Sequence, residues 1–177
     1  MGEPHLGAAA LICFEWHQRP EHVRNGDITW QDYRPPSHPN SVQIRHAKTG
    51  AKGWIPLEQD GFALFSDLEA FLSDLPRLGL PIVLPAARRG PARPYRAEYA
   101  QRKVREARKR AGLGNHVTLD TCRHGGLTEL GNAGLTESEI MALSMHKTPN
   151  AARGYVKRTD EQRAHGLQKR FRMVSGN

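Results

Sequence analysis

The chain has 177 residues, 38% of them hydrophobic and 25% charged, with 17 glycines and 12 prolines, which excludes collagen-like, low-complexity and wholly disordered classes and fits one globular domain of roughly 100–200 residues. The formal net charge of +8 is unevenly divided: residues 1–88 carry 8 Lys/Arg against 10 Asp/Glu, or −2, and residues 89–177 carry 18 against 8, or +10. A basic half points to nucleic acid or another anionic surface, because each phosphate neutralised by Lys or Arg releases condensed counterions; a merely well-solvated surface has the same composition.

The longest apolar stretch, Leu6 to Phe14, is far short of the roughly 20 residues that span a bilayer, so no membrane is expected. The start Met-Gly-Glu-Pro-His lacks the basic residues of a secretory signal, and Leu6 stands where a myristoylation motif has Ser or Thr. Two cysteines, Cys13 and Cys122, with no Cys-x-x-Cys spacing, make neither a disulfide scaffold nor a zinc site. The expectation is a cytoplasmic protein with reduced thiols and no cofactor or metal.

In chain order, Leu6 to His17 is apolar on nearly every face and predicts a buried helix, ended by Arg19-Pro20; Pro20 opens a second short helix through Val23. Ile28 and Trp30, then Val42 and Ile44, read as strand; Lys48 to Gly53 supplies a turn and Trp54 to Leu57 returns, an antiparallel hairpin with lysines at its tip. Leu64 to Leu75 carries an amphipathic stripe, and Ile82 to Leu84 reads as a brief strand before an Arg-, Gly- and Pro-rich loop from Pro85 to Pro94. A strongly basic helix follows from about Tyr95 to Ala111, with Arg102, Arg105 and Lys109 among its cations. A helix from Asp120-Thr121 to about Leu130 comes next. Thr136 with Glu139 forms a capping box for a helix through Ile140 and Leu143 to His146. Thr148-Pro149 then opens a separate short helix with Ala151, Ala152 and Tyr155. Glu161 to Met173, with Ala164, Leu167, Phe171 and Val174 at helical spacing, ends the chain.

Four pieces carry chemistry: Gln-Arg-Pro-Glu at 18–21, Lys-Thr-Gly at 48–50, Asp-Thr-Cys-Arg-His-Gly at 120–125, and His146 nine residues before Tyr155. In this order they resemble the catalytic domain of the tyrosine recombinases, the phage integrase family. The resemblance covers nearly the whole chain. It implies an α+β, mostly helical domain with a small antiparallel hairpin sheet, acting on double-stranded DNA. It also implies Arg19, Lys48, Arg123, His146 and Tyr155 as the catalytic set. A phosphodiester is very unreactive, and two guanidiniums are a natural clamp for its non-bridging oxygens as charge builds in the transition state. Tyr155 would be the nucleophile that forms a 3′-phosphotyrosine, Lys48 the acid for the leaving 5′-oxygen, and His146 a hydrogen-bonding partner of the phosphate or of Tyr155. His124, Arg102, Arg105, Lys109 and Arg153 are candidate DNA contacts.

Taken singly, each residue has a plainer explanation. Tyr155 reads as a half-buried helix tyrosine, Arg19 as a residue at a helix end, Lys48 as a solvated turn lysine, and His124 as a structural hydrogen-bonding histidine before a catalyst. Two departures from the family stand out. Position 120, where the family usually has His or Lys, is Asp, which reads as an N-cap. Only 18 residues precede Arg19, so the expectation is a single partial catalytic domain over 1–177 without the family's core-binding domain. Residues 160–177 then form a tail helix that in the family docks on a neighbouring subunit, so a homo-oligomer on DNA is also expected. The alternatives are a catalytically weak DNA-binding remnant of an integrase, and a generic basic helical protein in which these residues lie apart.

Overall fold

In the computed structural model the described residues are 3–45, 50, 52–87, 90–145, 148–155 and 160–175, and the chain divides into two compact units, Met1–Arg123 and His124–Asn177. The architecture is mostly helical with small antiparallel sheets.

The first unit is built on helix α1 (Pro4–Glu15), which has proline at its first position and buries Leu6, Ala8, Ala9, Ile12 and Cys13. Its alanines let other elements approach closely, and α1 contacts α2 (Pro20–Arg24), α3 (Ser66–Ser73) and α4 (Ala97–Arg110). The helix stops two residues earlier than the apolar run predicts. His17 turns to the left-handed region (φ 54°), the conformation that commonly follows a helix end. Trp16 is wholly buried there, and the buried Gln18 amide donates to its carbonyl (2.5 Å). Arg19 then emerges exposed, its extended backbone (φ −66°, ψ 135°) imposed by the following Pro20.

Strands β1 (Ser41–Arg45) and β2 (Lys52–Pro56) form the expected hairpin, with Val42 opposite Ile55, Ile44 opposite Gly53 and Arg45 opposite Lys52. Val42, Ile44 and Ile55 face the core. A second hairpin, β3 (Glu58–Gln59) with β4 (Phe62–Ala63), turns on Asp60-Gly61, both at positive φ (52° and 81°). Asp-Gly is a strong local signal for this tight turn, and the sequence reading passed over it. Two expected strands are replaced by one isolated bridge. Thr29 pairs only with Pro81, flanked by Ile82 N–H to Ile28 O (3.0 Å) and Trp30 N–H to Leu80 O (3.0 Å). Ile82, Val83 and Leu84 are nevertheless buried: burial, not a ladder, is what their apolar character records.

Arg34 fastens the loop before β1 to its surroundings, donating to Glu58 (2.6 Å), Glu69 (2.7 Å) and the Pro39 carbonyl (3.0 Å). Helix α4 buries only Ala100. It is held at one end by Glu3, which accepts from the Tyr95 and Tyr99 hydroxyls (3.3 and 3.4 Å) and pairs with Lys103 (3.4 Å).

Helix α5 (Leu119–Asn132) begins in the first unit and continues in the second. Its cap is Thr118, not Asp120: Thr118 Oγ1 accepts from the Thr121 amide (3.2 Å) and the Thr118 amide donates to Thr121 Oγ1 (2.7 Å). Asp120 is instead the second helical residue, exposed in the first turn, where a carboxylate complements the helix dipole.

The second unit gathers Leu127, Ile140 and Ala152 into a core, with Leu130, Leu135, Met141 and Tyr155 against it. Helix α6 (Glu137–Ser144) opens on the expected capping box, Thr136 with Glu139, and ends where Met145 adopts φ 54°. Helix α7 (Pro149–Arg153) starts at Thr148-Pro149 as expected, although the Thr148 side chain makes no cap bond. Helix α8 (Asp160–Ser175) meets the α5–α6 turn at Gly134, whose φ of 81° and closeness to the His165 ring leave no room for a Cβ. Its Leu167, Phe171, Met173 and Val174 are exposed.

Candidate active site

Within the first unit, the sequence places two arginines to work with. Arg19 is exposed at the α1–α2 junction. Arg123 is the fifth residue of α5, two residues further in than a cap at Asp120 would put it, and is buried. Its charge reaches Cys13, His17 and His22. His17 and His22 flank Arg19 in the chain, so the Arg123 charge is felt on both sides of that position. Burial pushes His17 down to about 4; the Phe14 carbonyl opposes this and the Arg123 charge adds to it. His22 is lowered for the same main reason, with the Arg45 carbonyl and Asp27 opposing and Arg123 adding. Burial also raises the Cys13 and Cys122 thiols.

His22 has a second consequence. Its Nε2 lies 2.6 Å from the carbonyl oxygen of Arg45, the last residue of β1. The hairpin that carries Lys48 is thereby anchored to the helix that follows Arg19. Arg45 itself pairs with the buried Asp32 (3.2 Å). Lys48 lies outside the described residues, as does His146.

In the second unit the nucleophile candidate is found just past α7, not within it. Gly154 ends the helix, and the Tyr155 amide donates to the Ala152 carbonyl (3.0 Å), leaving the ring half-buried against the Leu127–Ile140–Ala152 cluster. Its hydroxyl lies 2.7 Å from Nδ1 of His124, and the two rings stack with centroids 5.6 Å apart at 29°. His124 is an exposed residue of α5. The sequence paired Tyr155 with His146 from their spacing and set His124 aside as structural or DNA-contacting. No local signal reveals a contact across 31 positions; helix α5 and the turn after α7 create it.

Of the candidate DNA contacts, Arg102, Arg105 and Lys109 are exposed on α4, with Arg102 paired to Glu106 (3.3 Å) and lying over the Tyr99 ring (5.1 Å). Arg153 is exposed on α7 and pairs with Glu137 (3.4 Å). Among the described residues no three His, Cys, Asp or Glu side chains cluster as a metal site would, and no helix is long and apolar enough to cross a membrane.

No protein-family model and no curated protein matches the sequence. Solved structures do. A lambda integrase (residues 75–356) dimer bound to a COC′ core site superposes with TM-score 0.64 at 19% identity, over 89% of this chain and 54% of that one. XerA recombinase gives 0.65 at 15%, over 94% and 56%. The lambda integrase catalytic core gives 0.56 at 20%, over 80% and 82%. The chain thus spans about half the length of the first two and most of the isolated catalytic core. The α+β fold, mostly helical with a small antiparallel hairpin sheet, is that of the tyrosine-recombinase catalytic domain.

Proposed function

We propose that this chain is the catalytic domain of a site-specific DNA recombinase that breaks and rejoins strands through a covalent 3′-phosphotyrosine on Tyr155. The observation that carries the reading is the Tyr155 hydroxyl held 2.7 Å from an imidazole nitrogen in a fold shared with integrases and Xer recombinases. A phenol is a poor nucleophile at its ordinary pKa near 10, and a hydrogen-bonded imidazole is the kind of partner that activates one.

In the proposed step, Tyr155 Oη bonds to phosphorus as the bond from phosphorus to the 5′-oxygen breaks. Arg19 and Arg123 hold the non-bridging oxygens, each guanidinium offering a planar fork that stays charged at any working pH. Lys48 gives a proton to the departing 5′-oxygen, and His146 hydrogen-bonds the phosphate. Nothing is hydrolysed. The ester preserves the energy of the broken bond, so a second 5′-hydroxyl reverses the step without ATP. Arg102, Arg105, Lys109 and Arg153 grip the duplex backbone, and α8 joins copies of the chain on DNA.

One observation favours a second reading, a DNA-binding protein with weakened chemistry: the exposed Asp120 carboxylate three residues before Arg123, where the resemblance expects a cation. The two separate in one assay. With a pool of nicked suicide duplexes of randomised sequence, strand transfer predicts a denaturation-resistant protein–DNA band. That band is absent in Tyr155→Phe and is slowed roughly 100- to 1,000-fold in Arg123→Ala, the usual cost of losing one transition-state donor. Salt-sensitive binding without the band would leave the second reading standing.

A further inference from the structure

The proton that Tyr155 must lose needs a destination, and the geometry points to one: we infer that His124 is the general base that takes the phenolic proton on Nδ1 as the Tyr155–phosphorus bond forms. The inference rests on the strand-transfer reading and assigns it a residue that motif spacing gave to a different role.

Three observations support it. The Oη to Nδ1 distance of 2.7 Å is within the hydrogen-bond reach required of a base. The near-parallel stack of the two rings, 29° apart with centroids 5.6 Å apart, places the imidazole beside the phenol at a fixed height. His124 is also on a regular helix: α5 is capped by Thr118, and the His124 carbonyl accepts from Thr128 Oγ1 (2.7 Å). A base on a helix is held more precisely than one on a loop. A neutral imidazole accepts a proton at whichever ring nitrogen carries none, and a phenol hydrogen-bonded to that nitrogen has its proton aimed at the acceptor. Transfer between them becomes favourable only as phosphorus draws electron density from Oη.

The proton balance closes in both directions. On cleavage the phenolic proton moves to His124 Nδ1, and the 5′-oxygen receives its own proton from Lys48. On rejoining, the incoming 5′-hydroxyl attacks phosphorus and the imidazolium returns its proton to Tyr155 Oη as the phosphotyrosine bond breaks. Because His124 is exposed, its replacement removes no core contact.

Two measurements on the full chain test the assignment. In a 15N-histidine-labelled sample at pH 7.5, the His124 signals, identified by their loss in His124→Gln, should show an unprotonated Nδ1 that shifts in Tyr155→Phe. A proton resident on Nδ1 would overturn the base role, since that tautomer donates to the phenol. In single-turnover adduct formation on the nicked duplex pool, His124→Gln should be slower by about 100-fold at pH 7.5. Its rate should then climb steadily to pH 9.5 as the phenol ionises unaided, whereas the native chain levels off. An unchanged rate and profile in His124→Gln would leave His124 no part in the step and overturn the proposal. If the native chain forms no adduct although the tautomer is as expected, the strand-transfer reading itself fails and the base role falls with it.

Discussion

His17 shows how a single residue serves both the fold and the site. It ends α1 in a left-handed conformation and so aims the chain toward Arg19, and it lies buried within reach of the Arg123 charge. An unfolded histidine titrates near 6.5, and this one is held at about 4. Between those values the unfolded chain binds more protons than the folded one. Stability is therefore complete above pH 6.5, falls as the pH drops from about 6.5 to about 4, and stops falling below that. The loss from His17 is at most on the order of 3 kcal/mol, and His5 and His22, also lowered by burial, act in the same direction. Urea midpoints measured from pH 8 to pH 4 should show this decline. His17→Asn, which tolerates the left-handed backbone, should flatten it; an equally steep decline in the variant would remove His17 as its source. The sequence singled out neither His17 nor His22, because a histidine's burial is a property of what packs over it.

At the scale of elements, most boundaries follow from local chemistry. Pro4, Pro20 and Pro149 each open a helix at its first turn, and the Thr136–Glu139 box forms as its spacing predicts. The start of α5 shows the limit of that logic. Thr118 and Asp120 are both good caps, and the choice between them decides which turn Arg123 occupies. Thr118 takes the role because Thr121 reciprocates, its hydroxyl also donating to the His116 carbonyl (2.8 Å). Thr118→Ala should cost about 1 kcal/mol in urea denaturation, with Asp120→Ala costing less, since a dipole contact at an exposed position is worth only about 0.3–1 kcal/mol. The reverse order would restore Asp120 as the cap. One lone bridge stands where two strands were expected because Ile28 and Ile82–Leu84 satisfy the same apolar preference by burial without a ladder.

At the scale of the molecule, charge asymmetry and exposed apolar surface set the expected behaviour with DNA. If the exposed cations of α4 grip the duplex as proposed, each phosphate they neutralise contributes about 0.9 to the slope of log affinity against log salt. Arg105→Ala with Lys109→Ala should therefore lower that slope by about 2 in a fluorescence anisotropy titration. An unchanged slope would move the DNA face away from α4. Helix α8 presents Leu167, Phe171 and Val174 to solvent, more apolar surface than an unpartnered helix needs. If α8 joins copies on DNA, Leu167→Ser with Phe171→Ser should lower the assembled fraction in sedimentation velocity without changing affinity for a single site. Assembly that persists in this variant would place the interface elsewhere.

The sequence by itself determined the helical character, the hairpin at β1–β2, the capping box at Thr136, the helix start at Pro149 and the basic second half, because each depends on residues adjacent in the chain or on composition alone. Its resemblance to a known family named Arg19, Lys48, Arg123, His146 and Tyr155 as candidates, which the strand-transfer assay tests. Only the tertiary structure decided that Arg123 is buried with its charge reaching His17 and His22, that His22 fastens the end of β1, and that Tyr155 meets His124. Each of those facts depends on a neighbour supplied by a different element, and hydrogen-bond distance between such neighbours is written in no local spacing.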